Sequence, residues 1–410
     1  MLAVELFHVS GQLTVGAYWF DWANLLLRWA HAIVGIAWIG ASFYFIWLDN
    51  HLGEVARQQD RDEGVGGELW AIHGGGFYHA QKFRVAPPTL PPTLHWFKWE
   101  AYWTFITGFM LLVLEFYTQA DLYLIDPKVM ALTQTQAIVI GLAWLAGGWI
   151  VYDQLCKSPL GKNDNLLAAV MFVLLVIAAW GLCQVFSGRG AYLHFGAMLG
   201  TIMVANVAHV IMPGQAALVR AKEQGRIPDA IHGILGKQRS VHNTYFTLPV
   251  VFAMLSGHYA MTFSSRWNWL VLVALSLVGA LIRVWFVLRH KGRPPAWPLV
   301  MAIAILGATA WGLAPAPAAD AAKAPPFADV RAVVERRCMV CHAEKPVFQG
   351  ITQAPKGVML DSPEKMKTQA SAIYQQAVSA QAMPPGNLTG ITPEERSLLG
   401  AWYLSGAAVK

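Results

Sequence analysis

The chain has 410 residues, of which 56% are hydrophobic and only 13% charged, with a mean hydropathy of +0.41. An ordinary soluble domain carries about 25% charged residues, so a soluble enzyme, a disordered chain and a nucleic-acid binder are all excluded as leading readings. The formal charge of +6 then reads as cytoplasmic loops of a membrane protein rather than a polyanion-binding surface.

A helix needs roughly 20 apolar residues to cross the hydrocarbon core. Eight stretches qualify as predicted spans, near 20–48, 99–118, 134–152, 165–186, 191–212, 243–263, 267–288 and 296–314. Residues 1–20 hold no Lys or Arg, so a cleaved signal peptide is not expected. The loops after the odd-numbered spans carry 15 Lys and Arg, and those on the other side carry 3. That bias puts the odd-numbered ends in the cytoplasm. Both termini then lie outside, in the periplasm of a bacterial inner membrane.

Beyond the last span the composition changes. Ala314–Pro326 is an Ala/Pro linker, too poor in large side chains to pack. Residues 327–410 read as one small soluble domain, of a size that benefits from a covalent cofactor. It contains Cys338-Met339-Val340-Cys341-His342, the C-x-x-C-H signal for c-type haem attachment. Two thiols one turn apart reach the two haem vinyls, and the next residue, His342, lies under the iron. A zinc site needs four ligands, and residues 320–410 offer no other Cys or His. Met359, Met366 and Met383 are available as sixth ligand. Met383 is favoured because the following Pro384-Pro385-Gly386 holds it on a rigid loop, whereas the other two read as packing. Thr392-Pro393-Glu394-Glu395 predicts a capped helix that turns Leu398, Leu399, Trp402 and Tyr403 inward. Haem c is attached outside the cytoplasm, so this motif agrees with the topology from loop charge.

Ionisable residues inside spans are functional candidates. Arg28 and His31 lie in the first span and Arg283 in the seventh, with His194, His209, His242 and His258 near span ends. Two readings compete for the histidines. One is a haem b held between helices by His31 and His194. The other is interhelical hydrogen bonding. The segment Gly64–Phe83 combines six glycines with Trp70, His73, Phe77, Tyr78 and His79, which suits a substrate or cofactor site on a loop. Its Gly74-Gly75-Gly76 run is not a nucleotide fingerprint, since no strand is expected before it. His73, His79 and His242 are the candidate catalytic bases. Arg28, Trp70, Arg239, Asn243 and Arg283 are the candidate substrate contacts.

The stretches RWAHAIVGIAWIGASFYF, GVGGELWAIHGGGFYHAQKF, LHWFKWEAYWTFITGF, ADLYLIDP and RSVHNTYFTLPVVF, followed by a C-x-x-C-H domain with MPPGN, resemble the membrane-bound, cytochrome c-fused urate oxidases (PuuD-type urate hydroxylases). The resemblance covers essentially the whole chain. It implies an all-α fold, with residues 1–314 as a membrane bundle of about eight spans and 327–410 as a small class I-like cytochrome c. It also implies oxidation of urate to 5-hydroxyisourate in purine breakdown, with electrons leaving through haem c to a terminal oxidase or soluble cytochrome c, without hydrogen peroxide. Only Cys338, Cys341, His342 and Met383 match family roles residue by residue. The residues alone also admit a quinol-to-cytochrome electron-transfer module and a haem-linked transporter.

Overall fold

The computed structural model describes residues 12–292, 294–314, 324–348, 351, 353–379 and 381–409, with side chains from Tyr18 onward. The linker 315–323 lies outside the described residues. Among the described residues helices dominate and the only strands form one hairpin. Long helices occupy all eight predicted positions. They are α1 (Gln12–His51), α2 (Trp99–Leu112, continued by a π turn over Val113–Tyr117), α3 (Gln134–Lys157), α4 (Asp164–Val185), α5 (Gly188–Asn206, continued by a π turn into Met212–Glu223), α6 (Ile231–Leu255), α7 (Asn268–His290) and α8 (Trp297–Gly312). Five helical stretches among the described residues are long and apolar enough to cross a membrane: Tyr18–His51, Gln134–Lys157, Asp164–Val185, Gly188–Glu223 and Asn268–His290. The α8 helix is apolar but shorter.

Helix α5 is the axis of the bundle. Thirteen of its residues from Gly190 to Asn206 are buried, and Phe195, Leu199 and Ile202 join the main core with Leu145, Leu167 and Leu182. Glycine sets the helix spacing here. A Cβ at Gly141 would stand 2.6 Å from His194 Nε2, and one at Gly196 would stand 2.6 Å from the Ala253 Cβ. Only a residue without a side chain permits so close an approach.

The expectations need two corrections. The segment predicted as a loop holds an antiparallel hairpin, β1 (Val65–His73) and β2 (Gly76–Phe83), with Trp70 opposite His79 and Ile72 opposite Phe77. Gly74 and Gly75 both take positive φ, the geometry a tight two-residue hairpin turn requires. A strand therefore does precede the glycine run. A strand and not a helix follows it, so the nucleotide fingerprint remains absent. The second correction concerns α6, which begins at Ile231 rather than near 243. Arg239 is therefore a buried helical residue, not a loop charge. The extra turns are polar, and they are accommodated because α3 and α5 offer them partners.

The C-terminal segment has its own core. Helix α9 (Phe327–Arg337) packs against α10 (Pro393–Leu404) through Val330, Val333, Val334, Leu399 and Trp402, with Leu398 and Tyr403 partly buried beside them. Met366 is also fully buried there, as packing requires. The Thr392 capping box forms, with Glu395 reaching back to the Thr392 amide. Glu395 also pairs with Arg337 and Arg336. Burial raises this carboxyl, but the Thr392 amide and the Arg337 guanidinium outweigh it, so it sits below the ordinary value of 4.5. Such a group contributes stability above its unfolded pKa and loses it as pH falls through the folded one. We expect the C-terminal domain to lose thermal stability as pH falls below about 4.5. Glu395→Gln should be less stable at neutral pH and show a shallower acid dependence. Identical melting curves across that range would contradict the assignment.

Candidate functional site

The inner halves of α3, α5 and α6 enclose a buried polar network. Arg239 is 3% exposed and Asp153 6%. Their ion pair spans 2.9 Å, and Asp153 also takes Lys157 Nζ at 2.6 Å. Arg239 Nη1 donates to Asn206 Oδ1 at 3.2 Å, and its guanidinium lies 5.0 Å from the centre of the Tyr152 ring. Asn206 Nδ2 donates to Tyr152 Oη at 3.1 Å and to Asn243 Oδ1 at 2.8 Å. The Tyr152 hydroxyl, accepting there, donates to His242 Nδ1 at 2.7 Å. Cys156 Sγ lies 4.0 Å from the same nitrogen. Every side chain of the network thus has at least one partner, as burial demands, with Arg239 Nε alone among its buried nitrogens left without one. The chain from Lys157 to His242 is a continuous string of charged and hydrogen-bonding groups, and it fixes the orientation of Tyr152 and His242.

The sequence candidates separate into four places. Arg239, Asn243 and His242 belong to this network. Trp70, His73 and His79 lie on the hairpin. There His79 Nε2 meets Glu68 Oε2 at 2.8 Å, and its ring stacks on Trp70 with centroids 4.2 Å apart. The Ala56 amide, joined by His79 and Gln81, holds the Glu68 carboxyl below the usual range. Trp70 is 62% exposed. Among the described residues no hydrogen bond links the hairpin to the buried network. Arg28 is spent on Glu115 and Asn24. Arg283, on α7, is 4% exposed and has neither Nε nor Nη2 partnered. Its guanidinium lies 3.8 Å from the centre of the Phe43 ring on α1, a contact worth about 0.5–2 kcal/mol.

The proposed haem b pair does not fit this arrangement. His194 is fully buried. Its Nδ1 donates to the Gly190 carbonyl at 2.9 Å, and its Nε2 accepts from Tyr117 Oη at 3.2 Å. Neither nitrogen is left for iron. His31 Nδ1 contacts Thr107 Oγ1 at 3.0 Å, which leaves its Nε2 uncommitted, so it is His194 that the pair lacks. Each histidine makes an interhelical hydrogen bond, and no step below runs through a haem b.

The C-x-x-C-H residues do fit a covalent haem. Cys338 and Cys341 are free thiols on the turn after α9, and the Cys341 and His342 amides both donate to the Cys338 carbonyl. His342 Nδ1 donates to the Val358 carbonyl at 2.9 Å. That bond selects the tautomer whose Nε2 lone pair is free for a metal. The backbone of Met383 is held on both sides. Its amide donates to the Gln376 carbonyl at 2.9 Å, and its carbonyl accepts from Arg396 Nη1 at 2.9 Å. Arg396, missed at the level of sequence, is buried and also donates to Ala377. An Arg in the capped helix facing the MPPGN loop was the available signal. The Met383 loop meets the bundle: Ala382 packs against the main core, and a Cβ at Gly386 would stand 3.4 Å from the Ile125 carbonyl oxygen.

A family model described as "Urate oxidase N-terminal" matches residues 17–314. The chain belongs to the urate oxidase N-terminal family. The matched region of this urate oxidase family member contains the buried network, the hairpin and Arg283, and ends where the linker begins. The family points to urate-related oxidoreductase chemistry in the helical region. No curated protein and no solved structure matches the chain.

Proposed function

We propose that this chain oxidises urate within a membrane-embedded bundle and passes the electrons outward through a haem c on its C-terminal domain to a respiratory acceptor. One observation carries the reading: a urate oxidase N-terminal region is joined, in one chain, to a C-x-x-C-H turn whose His342 has only Nε2 left to coordinate. All eight long helices cross the membrane in this reading, and loop charge puts the C-terminal domain outside the cytoplasm.

Cys338 and Cys341 would hold a haem through thioethers and His342 and Met383 would ligate its iron; so bound, it would supply a one-electron acceptor whose potential a Met ligand raises. Val358 fixes the His342 ring, and Arg396 holds the Met383 backbone. The Met383 loop abuts Ile125 and Asp126, so in this reading the haem domain is docked where electrons would leave the bundle. Urate plus water gives 5-hydroxyisourate, two electrons and two protons. The electrons leave one at a time. The protons need a basic site, and His242 Nδ1, already accepting from Tyr152, is a position where one is held.

Anaerobic addition of urate to the purified, haem-loaded protein should produce reduced c-type bands in the difference spectrum. An unchanged spectrum, in a sample that dithionite still reduces, would overturn the proposal.

A further inference from the structure

An uncompensated guanidinium in the interior is expensive, and a buried charge normally has a counter-charge. Arg239 has Asp153, and Arg28 has Glu115. Arg283 has no carboxylate partner among the described residues. No hydrogen bond is made by any of its nitrogens among the described residues, and the two that are fully buried, Nε and Nη2, lie together. They form one edge of the guanidinium, with two parallel N–H donors, and this is the edge that grips a pair of acceptors on a planar anion.

The surroundings suit a flat ligand. Phe43 offers an aromatic face at the guanidinium. On the neighbouring helix α6 the buried Thr244 hydroxyl is also unpartnered, and Asn243 before it belongs to the buried polar network. Toward the helix ends, two turns along the same α1–α7 seam, the rings of His51 and His290 meet with centroids 5.1 Å apart. His290 Nδ1 is unpartnered as well. The seam therefore carries a pair of imidazoles at the helix ends and an unpaired guanidinium two turns further in.

We infer that Arg283, with Phe43 and Thr244, anchors a planar organic anion at the junction of α1, α6 and α7, and that this anion is the urate substrate. The inference rests on the urate reading above. Urate is a flat monoanion at neutral pH. Adjacent oxygen and nitrogen acceptors on its rim match the Nε–Nη2 edge, and its ring matches the apolar and aromatic walls. An inorganic oxyanion would use the charge but not the walls.

The test is anaerobic equilibrium binding of urate to the full-length, haem-loaded protein, together with its thermal unfolding. Arg283→Met should weaken urate binding about 100-fold or more, because a desolvated charge-assisted pair is lost. Arg283→Lys, which keeps the charge but not the fork, should fall between the two. Without urate, Arg283→Met should unfold no earlier than the parent, since removing an unpaired buried charge removes a cost. Arg28→Met should bind urate like the parent. Parental urate affinity in Arg283→Met would overturn the inference, and so would earlier unfolding of that variant without ligand. Equal displacement of urate by inorganic phosphate would overturn it too, showing a general anion site. If urate still reduces the haem of the parent in those cases, only the anchor is wrong. A parent that neither binds urate nor is reduced by it overturns both readings.

Discussion

Cys338→Ala combined with Cys341→Ala is expected to abolish covalent haem and reduce urate-driven respiration to background, while leaving the helical bundle in place. The two thiols are the only covalent tethers the C-x-x-C-H turn provides, and the other two cysteines, Cys156 and Cys183, are buried in the bundle. His342 alone, held by Val358, would bind haem weakly and reversibly. The C-terminal core is small, built on Val330, Val334, Leu399 and Trp402, and loss of a cofactor staple should lower its unfolding temperature as well. The bundle packs around α5 and does not share that core. Haem staining on a denaturing gel, oxygen uptake with urate and the helical circular-dichroism signal of the purified variant separate these effects. Undiminished urate-driven oxygen uptake in the double variant would contradict the electron route.

Asp153→Ala is expected to destabilise the bundle by about 3–5 kcal/mol, the cost of leaving one member of a buried ion pair uncompensated. Arg239 would keep only Asn206 and the face of the Tyr152 ring. Arg239→Met should cost less, because Asp153 retains Lys157 at 2.6 Å, an exposed partner that already reaches it. Joining the two changes, as Asp153→Leu with Arg239→Met, should recover a large part of the loss, since both charges leave the interior together. Thermal unfolding of the three variants in detergent gives the order. Urate turnover should fall in all three, because the network that orients Tyr152 toward His242 runs through Arg239 and Asn206. Equal stability of Asp153→Ala and the parent would mean that this pair carries no structural weight.

The helices were legible in the sequence because apolar run length is a local property, and so were the caps of α10, where Thr392 and Glu395 lie three residues apart. The hairpin was not. Its exposed faces carry Trp70, Ile72, Phe77 and Tyr78, so the alternation of polar and apolar residues that betrays a strand is missing. The Gly74-Gly75 pair between two runs of similar length was the signal that remained. The start of α6 was misplaced for a related reason. Residues 231–242 are too polar to read as part of a span; most of them stay exposed or half-buried in the helix, and the one that is buried, Arg239, is tolerated because Asp153 on α3 and Asn206 on α5 pair with it.

Three arginines draw the line between the two kinds of information. Sequence by itself determined that Arg28 and Arg283 lie among apolar residues, that a long apolar region precedes a C-x-x-C-H turn, and that His342 follows the two thiols; it places Arg239 in a polar stretch that reads as a loop. These are matters of composition and spacing. It did not determine which guanidinium is free to take a ligand. Glu115 stands 87 residues from Arg28, and Asp153 stands 86 from Arg239. Arg283 meets Phe43 from the first helix and no carboxylate. Likewise, His194 and His31 are equivalent as letters, and helix packing gives one of them two partners that leave no nitrogen for iron. Only the tertiary structure decides such cases, because the partner of a buried charge is chosen by which helices lie side by side, and that choice leaves no trace in the residues next to it.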